Sequence, residues 1–170
     1  MLMDNKYKNK RRPENAELRR KIDLLLAEGD FFIKQSLGHL NISGYRYDIS
    51  EAVRELSLDD ETVCQLIEDY VIQILKSKIS FYKYIHELKK DELESKSLDY
   101  TDIKNLAHKN LGVVRNLRIK DAEKLLEVIM HNEDLDYLRL CVKALEISAV
   151  KLHPLCAYET LKLIEVKNSL

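Results

Sequence analysis

The stretch that decides the fold is Asp99-Tyr-Thr-Asp-Ile-Lys-Asn-Leu-Ala-His-Lys-Asn-Leu-Gly-Val-Val-Arg-Asn-Leu117. Written on a helix at about 100° per residue, it gathers its apolar residues on one side, which is the pattern of a core-facing helix. That side consists of Ile103, Leu106, Ala107, Asn110, Val113, Val114 and Leu117. Asp99 or Thr101 is placed to cap the first turn. The sequence therefore predicts a helix with its inner face in a core.

His108 lies on the opposite side of this predicted helix, together with Lys104, Gly112 and Arg115, while Leu111 lies near the boundary. A glycine inside a helix costs about 1 kcal/mol relative to alanine, so something should require the missing side chain. One such reason is access, because a bare backbone beside an exposed imidazole lets another protein approach it closely.

The segment Ala107-His-Lys-Asn-Leu-Gly112 resembles the phosphoacceptor helix of the histidine phosphotransfer (Hpt) domain, which usually reads His-x-x-Lys-Gly. His108 and Gly112 match that pattern, and Leu111 stands where the family has lysine. The resemblance covers roughly residues 48–152, because helical stripes precede and follow the histidine helix at suitable lengths.

The resemblance implies a phosphorelay protein that accepts and donates a phosphoryl group on His108 with response-regulator receiver domains or a histidine kinase. It implies a phosphocarrier rather than an enzyme, with no metal or cofactor of its own, because the receiver supplies the aspartate and Mg²⁺. A free histidine side chain has a pKa of about 6.5, so much exposed imidazole is neutral and nucleophilic at pH 7.

The residues expected at the phosphoryl group and at the partner surface are Lys104, Lys109, Leu111, Gly112 and Arg115. In this reading Gly112 admits the receiver loop, and the three cations attract the phosphoryl group and an acidic receiver pocket. Because Leu111 replaces the family lysine, its charge role is expected to have moved to Lys109 or Arg115.

The predicted fold is all-α: an antiparallel up-down four-helix bundle with extra N-terminal helices and a C-terminal helix. We expect a flexible basic arm at 1–13, a helical extension at 14–47, and the Hpt-like bundle with its C-terminal helix at 48–170. The first long bundle helix begins after Asp59 or Asp60 and continues to Leu88, followed by a charged linker.

Two short helices are predicted within the N-terminal extension. Asn15 can cap the first and Gly29 supplies its stop, and apolar residues from Phe31 to Leu40 continue as the second. The pair could cap the bundle or form a docking or dimerising hairpin, and the sequence leaves these open. Pro154 is expected to begin the last helix.

Composition narrows the function classes. The chain has 170 residues with a net charge of −1, so no whole-protein field favours nucleic acid. It has no apolar run of membrane-spanning length and no signal-peptide pattern, which predicts a cytoplasmic protein with no membrane partner. The cysteines, at 64, 141 and 156, lack Cys-x-x-Cys spacing, and the other histidines lack metal-ligand spacing.

Three alternatives stay open beside phosphotransfer. A helical adaptor could keep the Hpt-like bundle without its chemistry, and the change at Leu111 is the best argument for that hypothesis. A nucleic-acid-associated protein could use the basic arm between Asp4 and Arg12 and ranks last. His108 could also be an ordinary surface histidine beside an unrelated glycine.

Overall fold

The computed structural model of the chain describes residues 15–168, and every regular element in that range is helical. The α-helices are α1 (Ala16–Leu37), α2 (Ile49–Leu56), α3 (Asp60–Leu93), α4 (Thr101–Leu117), α5 (Lys120–His131), α6 (Leu135–Leu152) and α7 (Pro154–Asn168), and a 3-10 turn at Gly38–Leu40 follows α1. The predicted all-α class is therefore confirmed.

The predicted basic arm at 1–13 lies outside the described residues. Each helix within 15–168 is too short or too polar to cross a lipid bilayer.

The helix ends mostly follow their predicted capping residues. The Oδ1 of Asn15 accepts a hydrogen bond from the Leu18 amide at 3.0 Å, and the Oδ1 of Asp59 accepts one from the Thr62 amide at 2.7 Å. Pro154 begins α7, where its missing N–H leaves no helical hydrogen bond unmade. However, α3 continues past Leu88 to residue 93, because the charged residues of the predicted linker are mostly good helix formers.

Four helices enclose most of the core. Helix α4 packs between α3 and α5, and α6 packs on both α3 and α5. The ion pairs Lys78–Glu146 and Lys89–Asp136 join α3 to α6, and their order shows that these two helices are antiparallel. Helix α1 packs on α6 and α7, and α7 also packs on α3. The apolar side of every helix thus meets a neighbour, which is the condition for a stable layered helical domain.

The predicted break at Gly29 is wrong. Helix α1 continues through this glycine to Leu37 without interruption, so the two predicted short helices are one, and no hairpin forms. Gly29 is buried, and a Cβ added to it would lie 2.5 Å from the Cγ2 of Ile147 on α6. The glycine is needed for close approach of two helices rather than for a stop.

The segment after α1 secures the corner between α4 and α5. The Tyr47 hydroxyl donates to the carbonyl oxygen of Leu117 at 2.7 Å. Arg118, which has a positive φ of 62° at the end of α4, pairs with Glu55 of α2 at 2.6 Å. These contacts, from Tyr47 and from Glu55 of α2, hold the end of α4 in place.

Replacing Gly29 by Ala is expected to lower the free energy of unfolding by about 1–3 kcal/mol, because the new methyl group would overpack the α1–α6 contact. Gly38→Ala is the control: nothing lies within 4 Å of a Cβ there, so it should be neutral or stabilising by up to about 1 kcal/mol. Urea unfolding measures both. Equal stabilities for the two variants would contradict the close-approach explanation.

Candidate functional site

His108 lies on the outer surface of α4, as predicted. Its side chain is exposed, whereas Ile103, Ala107 and Val114 on the other side of the helix are completely buried. The helical period therefore places the imidazole in water and the apolar side in the core, and the predicted exposure of His108 is confirmed.

A buried polar contact between α3 and α4 fixes how α4 is rotated. Asn110 is fully buried, and its Oδ1 accepts a hydrogen bond from the Nε2 of Gln73 at 3.0 Å. Its Nδ2 donates to the Ser77 hydroxyl at 3.2 Å and to the Leu106 carbonyl at 2.9 Å. Two residues correspond to about 200° around a helix, so anchoring Asn110 against α3 turns His108 away from α3 and toward solvent.

Gly112 lies one turn after His108 and is also exposed. A Cβ added to Gly112 would meet no described atom within 4 Å. Close packing against a neighbouring helix explains the glycine at position 29, but it does not explain Gly112. The glycine leaves a bare patch of helix surface next to the imidazole, at the usual energetic cost of an interior helical glycine.

The structure corrects the position of Leu111. This residue was expected near the boundary and at the partner surface, but only 3% of it is exposed and it belongs to the core. The physical reason is that α4 packs against both α3 and α5, so its buried arc is wider than a single stripe. Leu111 cannot contact a partner from that position.

Two of the three predicted cations are already paired. The Nζ of Lys104 lies 3.1 Å from a carboxylate oxygen of Glu133. Arg115 contacts Glu127 at 2.8 Å and Glu123 at 3.3 Å. The hydrogen bond from Arg115 to Glu127, helped by Glu123, raises the pKa of the guanidinium above its ordinary value. On the α5 side of the histidine, positive charge is thus largely neutralised by carboxylates.

Lys109 differs from these two residues. It is exposed, and it makes no ion pair with any residue in the range 15–168. It borders a shallow groove between α3 and α4, here called the α3–α4 groove, which is lined by Asp69, Ile72, Gln73, Lys76, Ser77, Ser80, Leu106 and Lys109. Lys76 was not predicted as a site residue, because in sequence it looks like any other lysine on an exposed helix face.

A larger cleft, of about 570 Å³, lies away from His108, where Tyr47, the start of α5 and the α6–α7 junction meet. Size alone would favour this cleft as a ligand site. However, the cations Lys151 and Arg46 both pair with Asp30, at 2.6 Å and 3.3 Å. The two cations of the cleft are therefore already paired with Asp30. The exposed face of α4 is the stronger candidate, because packing does not explain the glycine that it contains.

The part of the chain between residues 15 and 168 contains no group of three or more His, Cys, Asp or Glu side chains placed to bind a metal ion. Comparison with known proteins found no matching family model, no matching curated relative and no matching solved structure. The function is therefore inferred from the residues and geometry of the site.

Gly112→Ala is expected to raise the free energy of unfolding by about 0.5–1 kcal/mol, because the methyl group meets open space and alanine is the better helix former. Thermal and urea unfolding of the two proteins measure the change. A loss of stability would show that the glycine serves the fold and would remove the reason for assigning it a role in recognition.

Proposed function

We propose that the chain is a histidine phosphotransfer protein that accepts a phosphoryl group from, and donates it to, the receiver domain of a response regulator in the cytoplasm. One observation carries the proposal: an exposed imidazole, His108, lies one turn before an exposed glycine, Gly112, at which an added Cβ would meet no neighbouring side chain or helix within 4 Å. A nucleophile with an open approach is what transfer between two proteins requires, since transfer depends mainly on positioning and charge neutralisation.

We also propose that α3, α4, α5 and α6 correspond to the four-helix bundle of the Hpt domain, with α1, α2 and α7 packed around it. Each of the four contacts its neighbour in the chain, and α6 returns to contact α3. The pairs Arg115–Glu123 and Lys104–Glu133 run in opposite orders along α4 and the following segment, as expected for antiparallel neighbours.

The chemistry asked of this chain is simple. A ring nitrogen of neutral His108 attacks the phosphorus of the partner's aspartyl phosphate with its lone pair. The N–P bond forms as the P–O bond to the aspartate breaks, and the aspartate leaves as a carboxylate. The other ring nitrogen keeps its proton. The partner supplies the Mg²⁺ that neutralises the phosphoryl oxygens, and α4 supplies a rigid support for the nucleophile.

Lys109 is the best candidate for the charge role that the family gives to the lysine before the glycine. Arg115 and Lys104 are each engaged by glutamates, so their charges are partly cancelled before a partner arrives. Lys109 has no such carboxylate among the described residues and lies next to the nucleophile in the chain, so its ammonium group can turn toward an incoming phosphoryl group.

Replacing His108 by Gln should abolish labelling of the chain by a receiver domain charged with radioactive acetyl phosphate and Mg²⁺. The free energy of unfolding of the variant should stay within about 0.5 kcal/mol of the wild-type value, because an exposed side chain is replaced by another polar one. His86→Gln, another exposed histidine, is the control and should be labelled normally. Persistent acid-labile label on the His108 variant would end the proposal.

Gly112→Gln tests access to the histidine separately from its chemistry. A Cβ at this position meets no described atom within 4 Å and the position is exposed, so the protein should fold, yet the glutamine side chain should cover the surface that a partner needs. We expect the rate of phosphoryl transfer to fall by at least about tenfold, equivalent to about 1.4 kcal/mol. Lys90→Gln, near the end of α3, supplies the same side chain at a distance, and an equal loss there would contradict the access argument.

A second candidate function is a helical adaptor that binds a signalling partner without transfer. The burial of Leu111 favours it, because the family's lysine position cannot present a charge in this structure. The two functions differ in one measurement: binding of a charged receiver without label on His108 identifies the adaptor.

A further inference from the structure

The charges around His108 are distributed unevenly. Toward α5, Glu123 and Glu127 neutralise Arg115. Toward α3, Lys76 and Lys109 are exposed, and neither pairs with a carboxylate within residues 15–168. Among these three cations, the two that no described carboxylate neutralises are therefore Lys76 and Lys109, on the α3 side of α4.

The hydrogen bonds of Asn110 show how far along α3 this charge lies. Asn110 contacts Gln73 and Ser77, and Lys76 lies between these two residues in the chain. Lys76 is therefore level with Asn110 along the helix axes. His108 is two residues from Asn110, which corresponds to about 3 Å of axial rise. Lys76 is thus level with the turn of α4 that carries His108, but it lies on the α3 side of α4, whereas the imidazole points away from α3.

The surface between Lys76 and Lys109 is suited to contact with a protein. Ile72 and Leu106 give the α3–α4 groove apolar contact area, and Ser80 adds a hydroxyl group. The carboxylate of this groove, on Asp69, lies seven residues before Lys76, or about 10 Å along α3, and accepts a hydrogen bond from Gln65 at 3.1 Å. The part of the groove around Lys76 and Lys109 is therefore basic with partly apolar walls.

We propose that the receiver partner covers the exposed face of α4 and extends over the α3–α4 groove, so that its phosphoaspartate faces His108 while the acidic residues around that phosphoaspartate face Lys109 and Lys76, and that Lys76 is a specificity-determining residue. This inference rests on the proposed function. Lys76 supplies from α3 part of the positive charge that Leu111 cannot supply from α4. Such a cation acts mainly on the association rate and partner choice, and less on the transfer step itself.

The experiment compares two single variants, each of which loses one cation of the α3–α4 groove, with a control that loses an ion pair elsewhere. Lys76→Gln and Lys109→Gln each remove a cation that has no carboxylate partner among the described residues. The control, Lys96→Gln/Glu94→Gln, removes an exposed ion pair just after α3 and keeps the net charge. For each, the second-order rate of transfer from an acetyl-phosphate-charged receiver is measured from about 0.05 M to about 1 M salt, where the screening length falls to about 3 Å.

We expect Lys76→Gln to slow transfer by about three- to tenfold at low salt and to match wild type at the highest salt, whereas Lys109→Gln, which also removes a contact to the phosphoryl group, should keep part of its deficit at the highest salt. The double variant should stay within about twofold of wild type throughout, since a neutral pair exerts little long-range field. A Lys76 variant that equals wild type at low salt overturns the inference. So does a deficit of the Lys76 variant that persists at the highest salt, because it would reflect altered packing.

A binding measurement separates this inference from the proposed function. Affinity for the receiver is measured by calorimetry on chains that also carry His108→Gln. If wild type is never labelled but binding still weakens with Lys76→Gln, phosphotransfer is wrong and the docking surface stands. If wild type is labelled but neither binding nor rate depends on Lys76, the docking surface is wrong and phosphotransfer stands.

Discussion

The candidate site depends on the rotation of α4 about its own axis, and the buried amide of Asn110 is the group that sets it. An apolar contact tolerates a helix that turns by a few tens of degrees, whereas an amide that loses its buried partners costs about 1–3 kcal/mol. The bonds to Gln73 and Ser77 thus favour one orientation. His108 is exposed as a consequence, because it lies about 200° away around the helix.

Gly29 and Gly112 both lie inside helices but for different reasons, and only the atoms around them show the difference. Gly29 faces Ile147 across a helix contact that has no room for a methyl group, whereas Gly112 faces open space. In sequence, each is an isolated glycine within a helical pattern, and such a glycine can mean a stop, a close approach or a functional surface. The stop predicted at Gly29 failed because packing between α1 and α6 outweighed local helix propensity.

Much of the fold and part of the site could be predicted from sequence. The predicted helix starts at Asn15, Asp59 and Pro154 were confirmed because they depend on local chemistry. The exposure of His108 was confirmed because it depends only on the helical period. The burial of Leu111 and the partners of Arg115 depend on which helices flank α4, which no single-helix pattern contains. Asn110 did leave a signal, as a polar residue on an apolar stripe, and such residues usually find buried partners.

The packing of α5 explains why position 111 holds a leucine, where the Hpt pattern that this segment resembles has a lysine. The exposed side of α4 contains His108, Lys109 and Gly112, whereas Leu111 lies on the buried side. A lysine there would have to leave its charge in the core or extend past α5, and both are unfavourable. The glutamates of α5 also neutralise Arg115 on that side. The packing that buries Leu111 therefore also leaves the cations without a described carboxylate partner, Lys76 and Lys109, on the α3 side of α4.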